Sequence, residues 1–138
     1  MSPRVSEVVV RYAETDQMGV AHHAVYWIGF EVVRTDLIRK LGFSYRRLEE
    51  EGCRMLVAEA GCRYRAAARY EDRVSVEARV SEVRWTRIRI DYTARDEDGK
   101  TLAEGFTVHA FLTPDMRPVR FPPELAAAMR ADLAETAS

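Results

Sequence analysis

Lysine is almost missing from this chain. Lys40 and Lys100 are its only two, and arginine supplies the rest of the 21 basic residues. Arginine suits bidentate contacts with phosphate or carboxylate, although a genome-wide composition bias produces the same pattern. The 22 acidic residues leave a net charge of −1, and no run of like charges forms a tail. The basic face that general nucleic-acid binding requires is therefore absent. Cysteine is equally sparse. Cys53 and Cys62 stand alone, with no CxxC or Cys/His spacing for zinc. On one extended strand their separation would be about 30 Å, beyond the reach of a disulfide. Both read as free thiols of a reducing compartment. No apolar run approaches the roughly 18 residues of a membrane span, and no signal-peptide pattern is seen. The expectations are a cytoplasmic protein with no nucleic-acid partner, no membrane insertion and no bound metal. Nor is there a Ser-His-Asp set with suggestive spacing.

What remains is a globular composition, 47% hydrophobic and 31% charged, long enough for one domain over residues 1–138 with a real core. Val5 to Tyr12 reads as a strand with Val8, Val10 and Tyr12 on one face. Residues from about Ala24 to Leu41 read as a helix, because Tyr26, Phe30, Val33, Leu37 and Leu41 recur at helical spacing. A second stripe of Val25, Ile28 and Val32 widens its apolar face, which suits a helix wrapped by other structure. Gly29 lets a neighbour come close, and Gly42 is a plausible stop. Ser44 is placed to cap a short helix over Tyr45 to Glu51. Four strands follow. Arg54 to Tyr64 opens on a near-continuous apolar run that suggests a central strand. Its Glu59 is expected to be buried and paired with Arg63 or Arg65. Arg73 to Val83 turns Val74, Val76, Ala78 and Val80 inward. Thr86 to Arg95 does so with Ile88, Ile90, Tyr92 and Ala94. After the Asp98-Gly99 hairpin signal, Thr101 to Thr113 is expected to face inward through Phe106, Val108, Ala110 and Leu112, with His109 structural. Pro122-Pro123 starts an alanine-rich, peripheral helix to about Glu135. Strands grouped without intervening helices indicate an α+β fold with one antiparallel sheet packed on the long helix.

The densest chemistry lies between the first strand and the long helix. There Tyr12-Ala-Glu14-Thr15-Asp16-Gln-Met-Gly19-Val20-Ala-His22-His23-Ala-Val-Tyr26 gathers two carboxylates, a glycine and two of the three histidines. A carboxylate near a helix N-terminus can serve as base or nucleophile, and free N–H groups there can bind a developing oxyanion. The plainer reading is that Asp16 caps the helix. Glu14 is expected to pair with an arginine. Glu31 and Arg34, three apart on the helix, are within salt-bridge reach.

The segment from Arg11 to Tyr26, with Glu31 and Arg34 following, resembles the signature of the hotdog-fold acyl-CoA thioesterases. It is similar to the 4-hydroxybenzoyl-CoA thioesterase family and, within it, to the branch linked to the Tol–Pal system. The resemblance implies a hotdog fold, with a long central helix wrapped by a curved antiparallel sheet. It implies homodimers or homotetramers whose active sites lie between subunits. The substrate would be an acyl-CoA, with coenzyme A as part of the substrate and no separate cofactor. Asp16 would act as nucleophile, through an acyl anhydride, or as base for a water. The backbone N–H of His23 would polarise the thioester carbonyl, and the His23 ring matches the histidine of the Tol–Pal-linked branch. Gly19, Val20, His22 and Tyr26 would contact the substrate. CoA phosphates would meet Arg84, Trp85 and Arg87. Three departures stand out. His22-His23 replaces the usual Tyr-His. Ala67-Ala68-Arg69 lacks the usual proline. Trp85 and Thr86 interrupt the basic cluster. Two other readings stay open: a hotdog acyl-CoA hydratase or dehydratase, and a non-catalytic acyl-CoA binding or scaffold module.

Overall fold

The long helix α1 (His23–Lys40) lies across the sheet and buries Tyr26, Phe30, Val33 and Leu37 at the expected spacing. The computed structural model describes residues 4–21 and 23–137, with side chains to 133. The chain runs β1 (Arg4–Val9), a 3-10 turn (Tyr12–Glu14), α1, α2 (Tyr45–Glu50), β2 (Arg54–Tyr64), β3 (Arg73–Val83), β4 (Arg87–Arg95), β5 (Thr101–Leu112) and α3 (Pro123–Ala137). The five strands form one antiparallel sheet in the order β1-β3-β4-β5-β2. Register shifts in β2 after Val57 and in β3 after Val80 are bulges, which bend the strands that carry them.

Local chemistry sets the ends of the helices. Gly42 follows α1 at φ +94, a conformation that costs glycine little. The Ser44 hydroxyl accepts the Arg47 N–H at 3.1 Å and caps α2. A Cβ on Gly29 would lie 3.2 Å from a methyl of Val76, so the helix sits close on β3. Asp96 accepts the N–H groups of Asp98 and Lys100 in the β4–β5 hairpin. No helix among the described residues is long and apolar enough to cross a membrane.

Several expectations need correction. Tyr12 leaves the strand for the 3-10 turn and is exposed. On α1, Val25 is buried but Ile28 and Val32 are exposed, so the apolar face that the chain itself covers is narrower than its sequence. β2 is an edge strand, not a central one. Its Leu56 and Val57 are 38% and 54% exposed, because the chain pairs only one side of it. Glu59 lies exposed beside the β2 bulge, and Arg65 pairs with Glu104 at 3.3 Å. α3 is not peripheral, since Leu125 and Met129 are fully buried.

The inward face of β5 is the opposite of the expected one. Thr107, His109 and Phe111 are buried, while Phe106, Val108, Ala110 and Leu112 lie on the other face. Alternation of period two makes both faces plausible, and a shift of one residue exchanges them. Thr107 and His109 Nε2 are hydrogen-bonded in the core, whereas the buried His109 Nδ1 has no partner among the described residues. The half-buried Arg34 guanidinium donates to the Tyr45 hydroxyl at 2.9 Å and to the Tyr92 hydroxyl at 3.0 Å, and does not pair with Glu31. Tyr92 and Thr107 are 2.7 Å apart, and Thr107 and His109 Nε2 are 2.8 Å apart. Arg34 can only donate. Run outward from it, the chain uses each hydroxyl proton and leaves the neutral His109 protonated on Nδ1.

Burial, with a smaller contribution from the Arg34 charge, lowers the His109 value to about 3. Folded His109 therefore stays neutral, while unfolded histidine takes up a proton below about pH 6.5. Stability contributed by this residue is complete above that pH and falls as pH drops toward 3, by at most about 1.4 kcal/mol per pH unit. Urea midpoints measured from pH 7 to pH 4 should fall less steeply for His109→Gln than for the parent. Equal slopes would refute the assignment.

Candidate active site

The loop before α1 is built around Asp16. Asp16-Gln17-Met18-Gly19 is a turn closed by the Gly19 N–H on the Asp16 carbonyl at 3.0 Å, with Gly19 at φ +76. The left-handed value explains the glycine. The Asp16 side chain caps its own turn rather than α1: Oδ1 accepts the N–H of Met18 at 2.8 Å and of Val20 at 3.4 Å. Among the described residues Oδ2 has no hydrogen-bond partner. The returning limb is pinned by Asp16 N–H on the Val20 carbonyl, by the Thr15–Ala21 and Val20–Arg69 bridges, and by Ala21 N–H on the Ala68 carbonyl at 2.7 Å. Glu14 pairs with Arg11 at 3.2 Å, as anticipated. That bond holds its carboxyl below the usual range.

α1 begins directly after this loop. Its first turn presents His23, and Val20, Ala21, His23, Tyr26, Tyr64, Arg65, Ala66 and Ala67 line a depression of about 300 Å³. Burial raises the Tyr26 phenol, and the nearby backbone of Ala68 partly opposes that shift. Val20, His23 and Tyr26 thus share one wall, next to the turn that carries Asp16 and Gly19. His22 lies outside the described residues. Tyr64, Ala66 and Ala67 had no local signal in the sequence, because the end of β2 reaches this place only through sheet pairing.

The residues expected to meet CoA lie elsewhere. Arg87 pairs with Ala110, which pairs with Leu56. Tyr64 is eight residues further along β2, about 26 Å at strand spacing. Within one chain, Arg84, Trp85 and Arg87 are therefore far from the His23 depression. Arg84 is engaged with Glu82. Trp85 is 62% exposed, with Arg120 and Arg130 at 4.6 and 5.3 Å from its ring centre. Trp85, Arg120, Arg130, Cys53 and Phe121 line a groove of about 600 Å³. Arg120 and Arg130 were not foreseen, since sequence distance hides their approach to Trp85. Burial pushes the Cys53 thiol up to about 11, and both cysteines are free.

The model of the thioesterase-like superfamily matches residues 10–129. The chain belongs to the thioesterase-like superfamily. This thioesterase-like chain is 34% identical over 122 residues to the acyl-CoA thioesterase YbgC of Haemophilus influenzae, covering 88% of the chain and 90% of that protein. It is 40% identical over 76 residues to the putative acyl-CoA thioesterase YneP of Bacillus subtilis, which spans 55% of each. Among solved structures, the DHNA-CoA thioesterase of Staphylococcus aureus superposes with a TM-score of 0.90 at 33% identity, over 97% of this chain and 93% of that one. The sheet and helix shared with such relatives are the hotdog fold.

The two Asp16 bonds give a test of the loop. Asp16→Asn keeps an oxygen acceptor for Met18 and Val20, whereas Asp16→Ala removes it at a cost of about 1 kcal/mol. Thermal melting should separate the two, with the Asn variant near the parent and the Ala variant lower by a few degrees. Equal melting of all three proteins would show that the bonds do not hold the turn.

Proposed function

We propose that this chain hydrolyses an acyl-CoA thioester to a carboxylate and free CoA. The observation that carries the reading is the Asp16 carboxylate, tied through Oδ1 to its own turn and with no partner for Oδ2 among the described residues, just ahead of the α1 N-terminus in a thioesterase-like fold. In one route Oδ2 attacks the thioester carbon. The C–S bond breaks, CoA leaves as thiolate, and water hydrolyses the resulting acyl anhydride. In the other route Asp16 takes a proton from the attacking water. In both, the carbonyl oxygen becomes negative, and we assign the His23 N–H at the helix start as the donor that stabilises it. A thiolate is a good leaving group, so neither route needs a strong acid. The His23 ring lies beside the same depression and matches the histidine of the Tol–Pal-linked branch, in which we place the chain.

The reading includes a homodimer, with a homotetramer built from two of them. A β2 paired on one side only, with exposed Leu56 and Val57, is an edge that proteins normally cover. Antiparallel pairing of two such edges about a two-fold axis near Glu59 would set Tyr64 of one copy against Arg54 of the other. The second copy's Trp85 groove would then adjoin the first copy's Asp16 loop, which closes the 26 Å gap. Trp85 with Arg120 and Arg130, and with Arg87 nearby, would hold the nucleotide end of CoA. Arg84 contributes less because Glu82 already engages it. The two free cysteines suit a cytoplasmic setting.

Thiol release from a panel of acyl-CoAs tests the chemistry. Asp16→Asn should lower kcat by about 10²- to 10⁴-fold. Absence of release from every member, undiminished release by Asp16→Asn, or hydration of an enoyl-CoA without thiol release would each overturn the proposal. Arg120→Ala and Arg130→Ala should each raise KM about tenfold with kcat nearly constant, as expected when binding alone is lost. An unchanged KM in both would remove the groove from the CoA site.

A further inference from the structure

Asp72, the residue just ahead of β3, takes no part in the chemistry above, yet the Asp16 loop hangs on it. Residues 69–72 form a tight turn, and Asp72 closes it twice. Its N–H donates to the Arg69 carbonyl at 3.0 Å, and its Oδ2 accepts the Arg69 N–H at 2.7 Å. An ionised acceptor makes the second bond short and strong. Glu71, inside the turn, sits at φ +70, which costs glycine little and a residue with a side chain more. The Asp72 carboxylate offsets that strain. The turn is fixed to the sheet through the buried Val10. Glu71 N–H donates to the Val10 carbonyl at 2.8 Å, and Val10 N–H donates to the Asp72 carbonyl at 3.0 Å.

The leading limb of the same turn carries the loop. Val20 bridges Arg69, and Ala21 N–H donates to the Ala68 carbonyl at 2.7 Å. Val20 in turn accepts the Asp16 N–H at 2.9 Å and donates to Asp16 Oδ1 at 3.4 Å. A line of contacts thus runs from Val10 through Asp72, Arg69 and Val20 to the Asp16 carboxylate. Burial raises the Tyr26 phenol and the Asp72 charge adds to that rise, so Asp72 stands within electrostatic reach of one wall of the depression. We propose that Asp72 is a positioning residue of the active site: by locking the 69–72 turn it holds Val20 and Ala21 in place and so aims the Asp16 carboxylate at the substrate carbonyl. This inference rests on the acyl-CoA thioesterase reading. Asp72 touches no reacting atom. Binding of CoA, assigned to the Trp85 groove, does not pass through this turn, so loss of the clamp acts on kcat rather than KM. A reacting group misplaced by about 1 Å loses about 10²-fold in rate.

The experiment compares the parent with Asp72→Ala, Asp72→Asn and the double variant Glu71→Gly/Asp72→Ala, by steady-state thiol release and by hydrogen exchange at the Ala21 amide. Asp72→Ala should lower kcat about 10- to 100-fold, with KM within about twofold of the parent's. Asp72→Asn keeps an oxygen acceptor for the Arg69 N–H and should restore most of kcat. Glycine at position 71 lets the turn form without the carboxylate, so the double variant should recover part of the loss. The Ala21 amide should exchange about tenfold faster in Asp72→Ala, while the amides of β3 and β4 keep the parent's protection. Should Asp72→Ala not fold, the double variant set against Asp72→Asn gives the same comparison. An unchanged kcat in Asp72→Ala would overturn the inference. So would Asp72→Asn as slow as Asp72→Ala, because the charge itself would then have the role. Exchange is read without turnover. Absence of thiol release from the parent counts against the thioesterase reading alone, whereas an Ala21 amide that exchanges in Asp72→Ala as it does in the parent refutes the hold of Asp72 on the loop.

Discussion

Phe30 fits where Gly105 leaves room for it, and much of the molecule depends on that fit. A Cβ at Gly105 would lie 2.7 Å from the Phe30 ring, so β5 must be bare at this point for α1 to lie flush on the sheet. The ring then stacks on Tyr92 at 4.5 Å and meets Trp27 edge-on at 5.4 Å. Burial of one such ring is worth about 2–3 kcal/mol, and stacked pairs add somewhat more. The larger consequence is geometric. Helix α1 is rigid, so the contact at Phe30 fixes where its first turn sits, two turns away at His23. The Asp16 loop is tied to β1 and to the segment after β2, and the helix entry is tied to the sheet. These two anchors bring a carboxylate and a helix N-terminus into one place.

The polar chain beneath the helix supports the same contact from the other side. Arg34 reaches through Tyr92 and Thr107 to His109. It holds the Tyr92 ring against which Phe30 stacks. A guanidinium withdrawn even partly from water is costly without partners, and two phenol oxygens receive it here in place of a carboxylate. Substitutions in this chain act on the helix position first and on chemistry only through it.

The edge position of β2 gives the fold its direction. One end of the strand borders the His23 depression and the other borders the Trp85 groove. A substrate as long as CoA has its thioester and its phosphates far apart, and the two candidate regions of one chain are also far apart. In the proposed dimer, pairing of β2 with its own copy would turn that separation into a property of the assembly. The exposed Ile28 and Val32 on α1 lie outside this arrangement.

By itself the sequence determined what local chemistry controls. The period of α1, the Ser44 cap, the Gly42 stop, the alternation of β3 and β4 and the pairing of Glu14 with an arginine all depend on neighbours within a few residues. The Asp16-to-Tyr26 segment carried the family in the same way, because its turn and helix entry are built from consecutive residues. The tertiary structure decided everything that depends on which surfaces meet. β2 reads as central from its apolar run, yet strand order is a property of the whole sheet. The face of β5 was ambiguous because both alternations are plausible, and the partners Arg34 and Tyr92 selected Thr107 and His109 for the interior. Tyr64 reached His23, and Arg120 and Arg130 reached Trp85, across sequence separations that no local pattern encodes. Spacing fixes a side chain's direction along its own element, whereas packing between elements fixes what it touches.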